Sequence, residues 1–360
     1  MSSPVTMSSL RRAGLLAGLT IAPVAAAIRF AHVYRQRAGF PHRRPPSHSP
    51  TDLGLPFEET TVASDAGPLP AWFIPANGGA PGPGVVLVHG WDSARDRTLP
   101  NVTVLHAAGF HCLTFDVRGN GANPAETLPL STGEFGVDAA AAFETLLARP
   151  EITRGAILGH SMGGVGAILA AAADPRVAAL VSVSAPADAW GMVRQTFQLA
   201  HLPIPRGVAG PLAWLTTRVF LRPRGHGMAA ISARHALARY AGPLLVMHGA
   251  DDLVMPVAHA QRIAAAGAET RRGNPAAGPV ELSIIAIGGH SWLFEDEGYR
   301  RTVAAFLTRH LGGPLSPAEA ADRAGAVNAR RLPDPEVPIV GDRAARLVTA
   351  MLPQRSPDQG

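Results

Sequence analysis

Short apolar runs, each closed by a glycine or a polar turn, alternate along this chain with stretches whose apolar residues recur at helical spacing. Apolar runs without polar alternation read as strands buried on both faces. The pattern predicts strands over 58–63, 71–74, 85–88, 110–115, 154–158, 177–183, 244–247 and 282–286. It predicts helices over 102–108, 137–148, 164–173, 257–266 and 299–310. The first two strands read as a pair, after which strand and helix take turns. That order belongs to an α/β fold, a mostly parallel sheet with helices on both faces.

The alternation breaks between 186 and 240, where Trp190, Phe197, Leu212, Trp214 and Phe220 lie in a mixed helical pattern with Arg194, Arg206, Arg218, Arg222 and Arg224. An insert at this point is expected to form a short helical cap that excludes water and shapes a pocket. Its arginines either face solvent or receive an anionic group.

The two ends stand apart from the alternating region. Arg11 and Arg12 precede an uncharged apolar stretch, 13–28, closed by Arg29 and interrupted by Pro23. Those 16 residues would span about 24 Å as a helix, against about 30 Å of hydrocarbon. Ala25, Ala26 and Ala27 resemble a signal cleavage site. An anchor, an export signal and a plain helix compete; the length favours a single transmembrane anchor, so residues 1–40 are assigned to an anchor or signal, and the protein is expected at a membrane or exported. Residues 41–52 form a proline-rich linker, 53–311 the main domain, and 312–360 an extension with helical patterns at 317–326 and 343–351.

Chemistry concentrates around Gly159-His160-Ser161-Met162-Gly163, which falls between a predicted strand and a predicted helix. A serine on so sharp a turn is held exposed at the sheet edge, and small residues two before and two after it let strand and helix pass closely. This is the pattern of a nucleophile elbow. The pentapeptide alone is weak in a glycine-rich chain; partners in the right order give it weight. Asp251 and Asp252 follow the strand 244–247, and His290 follows the strand 282–286. The order Ser, Asp, His thus places each group at or beyond the C-terminal end of a strand, where open parallel sheets bind ligands. A serine hydroxyl needs a base, which His290 supplies, and the imidazolium needs a carboxylate. The backbone N–H of Met162, at a helix start, is a candidate donor to a developing oxyanion.

Length and composition leave this reading in place. With 360 residues and 47% hydrophobic content the chain can hold one large domain with additions. The formal charge is +5, carried by arginine without any lysine. The basic residues form no stripe with interleaved aromatics, so nucleic acid is not an expected partner. A single cysteine, Cys112, lies in a predicted strand and reads as a core thiol. No H-E-x-x-H, C-x-x-C or carboxylate cluster occurs, and Gly119-Asn120-Gly121 opens no phosphate loop. No metal or cofactor is implied. His89 and His160, each beside a glycine or serine at a strand end, read as structural.

Five motifs together carry a resemblance: Val85-Val86-Leu87-Val88-His89-Gly90-Trp91, Asp116-Val117-Arg118-Gly119-Asn120-Gly121, the elbow, the segment from His248 to Pro256, and Gly289-His290. Over about residues 53–311 the chain resembles the α/β-hydrolases. It is most similar to bacterial serine hydrolases grouped with lysophospholipases and prolyl-oligopeptidase-type domains. The resemblance implies Asp252 as the acid of the triad, with Asp251 capping the turn or the helix near Val257. It also implies the backbone N–H of Trp91 as a second oxyanion donor, while the Trp91 residue reads equally as a wall of the acyl pocket, and both readings can hold together. Asn120 departs from the pattern, since many relatives carry histidine there. The expected function is hydrolysis of a carboxylic ester or related acyl bond of a small acyl substrate, lipid-like ones included, through an acyl-enzyme on Ser161. A serine peptidase or amidase and a non-catalytic binding protein of the same fold are the alternatives. The sequence leaves the oligomeric state open.

Overall fold

A computed structural model describes residues 7–333 of the chain. Eight strands form one sheet in the order β1-β2-β4-β3-β5-β6-β7-β8. They span Glu58–Ser64, Gly67–Ile74, Gly82–Val88, His111–Phe115, Ile152–His160, Val177–Val183, Leu244–Gly249 and Val280–Ile285. β1 and β2 pair antiparallel, β2 meets β4 antiparallel, and every later pairing is parallel. Among the described residues, ten α-helices accompany them: α1 Met7–Ala38, α2 Leu99–Ala107, α3 Thr132–Leu147, α4 Met162–Ala173, α5 Ala189–Leu199, α6 Arg206–Leu221, α7 Ala233–Ala236, α8 Ala258–Arg271, α9 Glu297–Leu311 and α10 Pro317–Ala326.

The central strands bury both faces, as continuous apolar runs require. In β3, Val86 and Val88 enter a core shared with Phe135, Phe143 and Ile168 of α3 and α4. Val85 and Leu87 point the other way, into a core with Leu105, Phe306 and Leu307 of α2 and α9. The same division holds for Val246 and Met247 of β7. Each large side chain buried this way is worth about 1.5–3 kcal/mol, so helices on both faces follow from the strand composition.

Two buried ion pairs brace the loop after β4, beside the C-terminal rim of the sheet. Asp116 accepts from the backbone and the guanidinium of Arg95 at 2.7 and 2.5 Å. Asp138 of α3 accepts from the backbone N–H of Arg118 at 2.9 Å and from its guanidinium at 2.6 Å. Asn120 is buried too; its amide donates to the Arg118 carbonyl at 3.0 Å, within the same turn.

Elements and sequence pattern differ at several ends. α3 begins five residues before the predicted start at 137, because Ser131 and Glu134 form a capping box. α10 occupies the predicted span 317–326 and packs on α9 and α2. The pattern at 343–351 lies outside the described residues. Between β6 and β7, the insert folds into α5, α6 and α7.

The transmembrane reading of the N-terminus is not sustained: among the described residues, no helix is long and apolar enough to cross a membrane. Pro23 does not interrupt the helix, which runs through it for 32 residues. Its C-terminal end is committed elsewhere. Tyr34 is buried among Phe30, Phe197, Phe220 and Ala213, so α1 packs on α6 and α5 of the insert.

The Arg118–Asp138 pair yields a test. Asp138→Ala leaves the buried Arg118 guanidinium with only the exposed Asp65 and the Ser64 hydroxyl, and losing the buried partner costs up to about 3 kcal/mol. Urea unfolding should show that loss; an unchanged midpoint would mean the pair contributes nothing.

Candidate active site

Ser161 stands where β5 turns into α4. Its backbone takes φ 54° and ψ −119°, a left-handed conformation that costs a non-glycine residue about 1–3 kcal/mol. Close packing enforces it. A Cβ on Gly159 would lie 2.1 Å from the Gly163 carbonyl oxygen, and one on Gly163 would lie 2.3 Å from those of Val88 and His89. Strand and helix therefore meet with no room for side chains, and the Ser161 N–H is tied to the Val183 carbonyl at 2.8 Å. The elbow expected from the pentapeptide has this physical basis.

His290 reaches Ser161 from the loop after β8. Its Nε2 lies 3.0 Å from Ser161 Oγ, and its Nδ1 lies 2.8 Å from Asp252 Oδ2. An ionised carboxylate only accepts, so Nδ1–H donates and Nε2 is left to accept the serine proton. Asp252 has a fully buried side chain. Burial opposes its charge, but hydrogen bonds from His248 and His290, the proximity of His290 and the Met255 N–H outweigh it. The carboxyl is held well below the usual carboxylate range.

The structure separates the two aspartates. Asp252 Oδ1 accepts from the backbone N–H groups of Val254 and Met255 at 2.9 and 2.7 Å. It thus closes the turn expected to be capped by Asp251, which is exposed. Nor does Asp251 cap α8, whose N-cap position is Val257 with no side-chain bond.

Met162 opens α4, and first-turn N–H groups of a helix lack intrahelical partners. Trp91 follows β3, its ring stacked on Phe135 at 6.3 Å between centroids. A Cβ on Gly90 would sit 3.3 Å from Ser161 Cβ, so the Gly90-Trp91 backbone passes beside the nucleophile. Trp91, Met162, Ser161 and His290 line one cavity of about 650 Å³, within the range of small-molecule sites. Its walls are mostly apolar, with Met192, Val193 and Leu199 contributed by the insert.

The insert's arginines are divided. Arg224 is held by Glu126 at 2.7 Å and by the Pro129 and Leu128 carbonyls, so it fastens the cap to the body. Arg218 lies over the Trp214 ring, while Arg194, Arg206 and Arg222 are exposed. None of these five lines the cavity.

Both histidines read as structural are fixed by backbone groups. His89 Nε2 accepts from the Val117 N–H at 3.0 Å while Nδ1 meets the Gly90 carbonyl at 2.7 Å. His160 Nε2 donates to the carbonyl of His290 at 2.7 Å, which fixes the backbone that carries that imidazole. Sequence reasoning missed His248. Its Nε2 donates to the Met255 carbonyl at 2.6 Å and lies 3.1 Å from Asp252 Oδ2. The signal was present: a histidine four residues before Asp252, near the end of a buried strand.

Burial, with the charge of His290 next in size, lowers the His160 pKa from 6.5 to about 4, so it stays neutral in the fold. Its folded value lies below its unfolded one, so its stabilisation is complete above about pH 6.5 and is lost as pH falls towards 4. His259 behaves alike, brought to about 4 by burial and by Arg262. Urea midpoints should therefore decline across that window, and less steeply in His160→Asn. An equal decline in the variant would remove His160 from the account.

Comparison with known proteins agrees with this geometry. The family described as serine aminopeptidase, S33 matches residues 79–224. The uncharacterized protein Rv2307c of Mycobacterium tuberculosis is 28% identical over 236 residues, covering 65% of this chain and 75% of its own. Among solved structures, the Pyrococcus furiosus esterase Pf2001 superposes with a TM-score of 0.59 at 21% identity, over 76% of this chain and 98% of that one. Dipeptidyl peptidase 4 of Porphyromonas gingivalis superposes at 0.53 and 20% identity, over 71% of this chain and 36% of that one. By its sheet topology and its strand-to-helix turn, in agreement with the matched segment, the chain has the α/β-hydrolase fold.

Proposed function

We propose that the protein is a serine hydrolase that cleaves a carboxylic ester or related acyl bond through an acyl-enzyme on Ser161. The observation that carries this reading is the unbroken relay from Ser161 Oγ to His290 Nε2 and from His290 Nδ1 to Asp252 Oδ2. His290 takes the Ser161 proton as Oγ attacks the acyl carbon, and Asp252 stabilises the imidazolium that results. The N–H groups of Trp91 and Met162 receive the oxyanion. The imidazolium then protonates the leaving group. Water, activated by the same base, releases the acid and frees Ser161.

Ester cleavage is favoured over peptide cleavage by the extent of the likeness. The Pyrococcus esterase is matched over 98% of its length, whereas the Porphyromonas peptidase is matched over 36%. The peptidase reading rests on the description of the matched family, serine aminopeptidase. A panel comparing acyl esters with prolyl and aminoacyl amides separates the two; faster turnover of the amides would reverse the preference.

Stoichiometric labelling by a fluorophosphonate is expected, and its loss in Ser161→Ala. A folded protein that takes no label would point to a non-catalytic binding role. The acid is tested separately. Asp252→Asn should lower kcat by about 10³–10⁴-fold, since it deprives His290 of the partner that sets its tautomer. Asp251→Asn should leave kcat within a few-fold. The opposite ranking would reassign the acid.

A further inference from the structure

The N-terminal helix enters the catalytic cavity. Tyr34, Arg37 and Ala38 of α1 line it, together with Phe40 and His42 just beyond. This segment precedes the family match, which begins at residue 79, so the wall it builds is an addition to the matched part. It is also firmly placed. Tyr34 is 6% exposed, and its ring meets Phe197 edge-on at 5.9 Å and Phe220 at 6.4 Å. Its hydroxyl bonds to Thr196 of α5.

The chain after α1 is stitched to the body on the same side. The Leu130 N–H donates to the Gly39 carbonyl at 2.8 Å, and the His42 N–H to Asp92 at 2.7 Å. Arg43 Nε donates to the Asn123 carbonyl at 2.5 Å, and the Ser47 N–H to Asp96 at 2.8 Å. A Cβ on Gly39 would lie 2.6 Å from Pro129 and 3.3 Å from Phe220. The close pass of Gly39 therefore fixes where Ala38 and Tyr34 stand relative to Ser161.

From this we infer that the end of α1 is a specificity wall of the active site, with Tyr34 and Ala38 setting how long an apolar chain the substrate carries. The inference rests on the serine-hydrolase reading and adds its substrate class: an ester of an aliphatic chain, bounded by Tyr34 together with the insert's Met192, Val193 and Leu199. A small residue in place of Tyr34 opens the wall towards the Phe197–Phe220 space. A large one in place of Ala38 closes it. Methylenes in an apolar pocket discriminate by roughly tenfold or more each, so either change should be visible in a homologous series.

The experiment uses full-length wild type, Tyr34→Ala, Tyr34→Phe and Ala38→Phe; one portion of each is checked for fluorophosphonate labelling and a separate, unlabelled portion is assayed on two series. One series varies the acyl chain of p-nitrophenyl esters from acetate to palmitate; the other varies the alkyl group of acetate esters. In one series or the other, Tyr34→Ala should move the best kcat/KM to longer chains by at least one member, with about tenfold gain for the longest. Ala38→Phe should move it to shorter chains, and Tyr34→Phe should leave it in place. Variants that take the label but whose unlabelled portions keep wild-type profiles in both series overturn the specificity wall and leave the hydrolase reading standing. Should Tyr34→Ala fail to fold, Ala38→Phe, at a half-buried position, decides on the same terms. Wild type that neither labels nor turns over any ester refutes the underlying reading instead.

Discussion

The close pass of β5 and α4 is the constraint on which the rest depends. Because Gly159 and Gly163 leave no space between strand and helix, the residue at the apex is driven to φ 54°, and Ser161 Oγ projects from the rim of the sheet. That strain is held by two fully packed cores and by the pairing of β5 with β3 and β6 on either side. Everything else in the site is arranged about that fixed oxygen. β7 and β8 each deliver one partner from a loop at the same edge, and His160, beside the serine, grips the backbone of His290. Ser161 and His290 are thus coupled through the backbone as well as through the hydrogen bond between their side chains.

Much of this was legible in the sequence because it depends on local pattern. Continuous apolar strands, small residues around Ser161 and the order Ser, Asp, His specify a parallel sheet with its functional groups on one edge. The assignment of Asp252 over Asp251 drew on resemblance, and its physical basis emerges only in three dimensions. Asp252 collects two backbone N–H groups, His248 and His290, while Asp251 faces solvent. Such a distinction between adjacent carboxylates is set by tertiary contacts that spacing does not encode. His248 was missed for the same reason, although its place four residues before the acid was visible.

The N-terminus shows where one-dimensional pattern misleads. An apolar stretch flanked by arginines carries the marks of a membrane segment, yet hydropathy does not say what covers an apolar face. Here Ile21, Val24 and Ile28 of that stretch are exposed, and it is Phe30 and Tyr34 beyond it that meet Phe197 and Phe220, more than 160 residues away in sequence. A helix read in isolation as an anchor is, at this end, the fourth side of a helical cap. The insert between β6 and β7 and the segment before β1 are remote in the chain and enclose one cavity together.

The central claim is that Ser161 becomes acylated during turnover, and rapid-quench mass spectrometry addresses it most directly. Enzyme mixed with a slowly hydrolysed p-nitrophenyl ester, quenched in acid within milliseconds and digested, should yield a peptide heavier by the acyl group, with the added mass on Ser161. Turnover with the adduct on any other side chain, or with no acylated peptide at any quench time under saturating ester, would contradict the account.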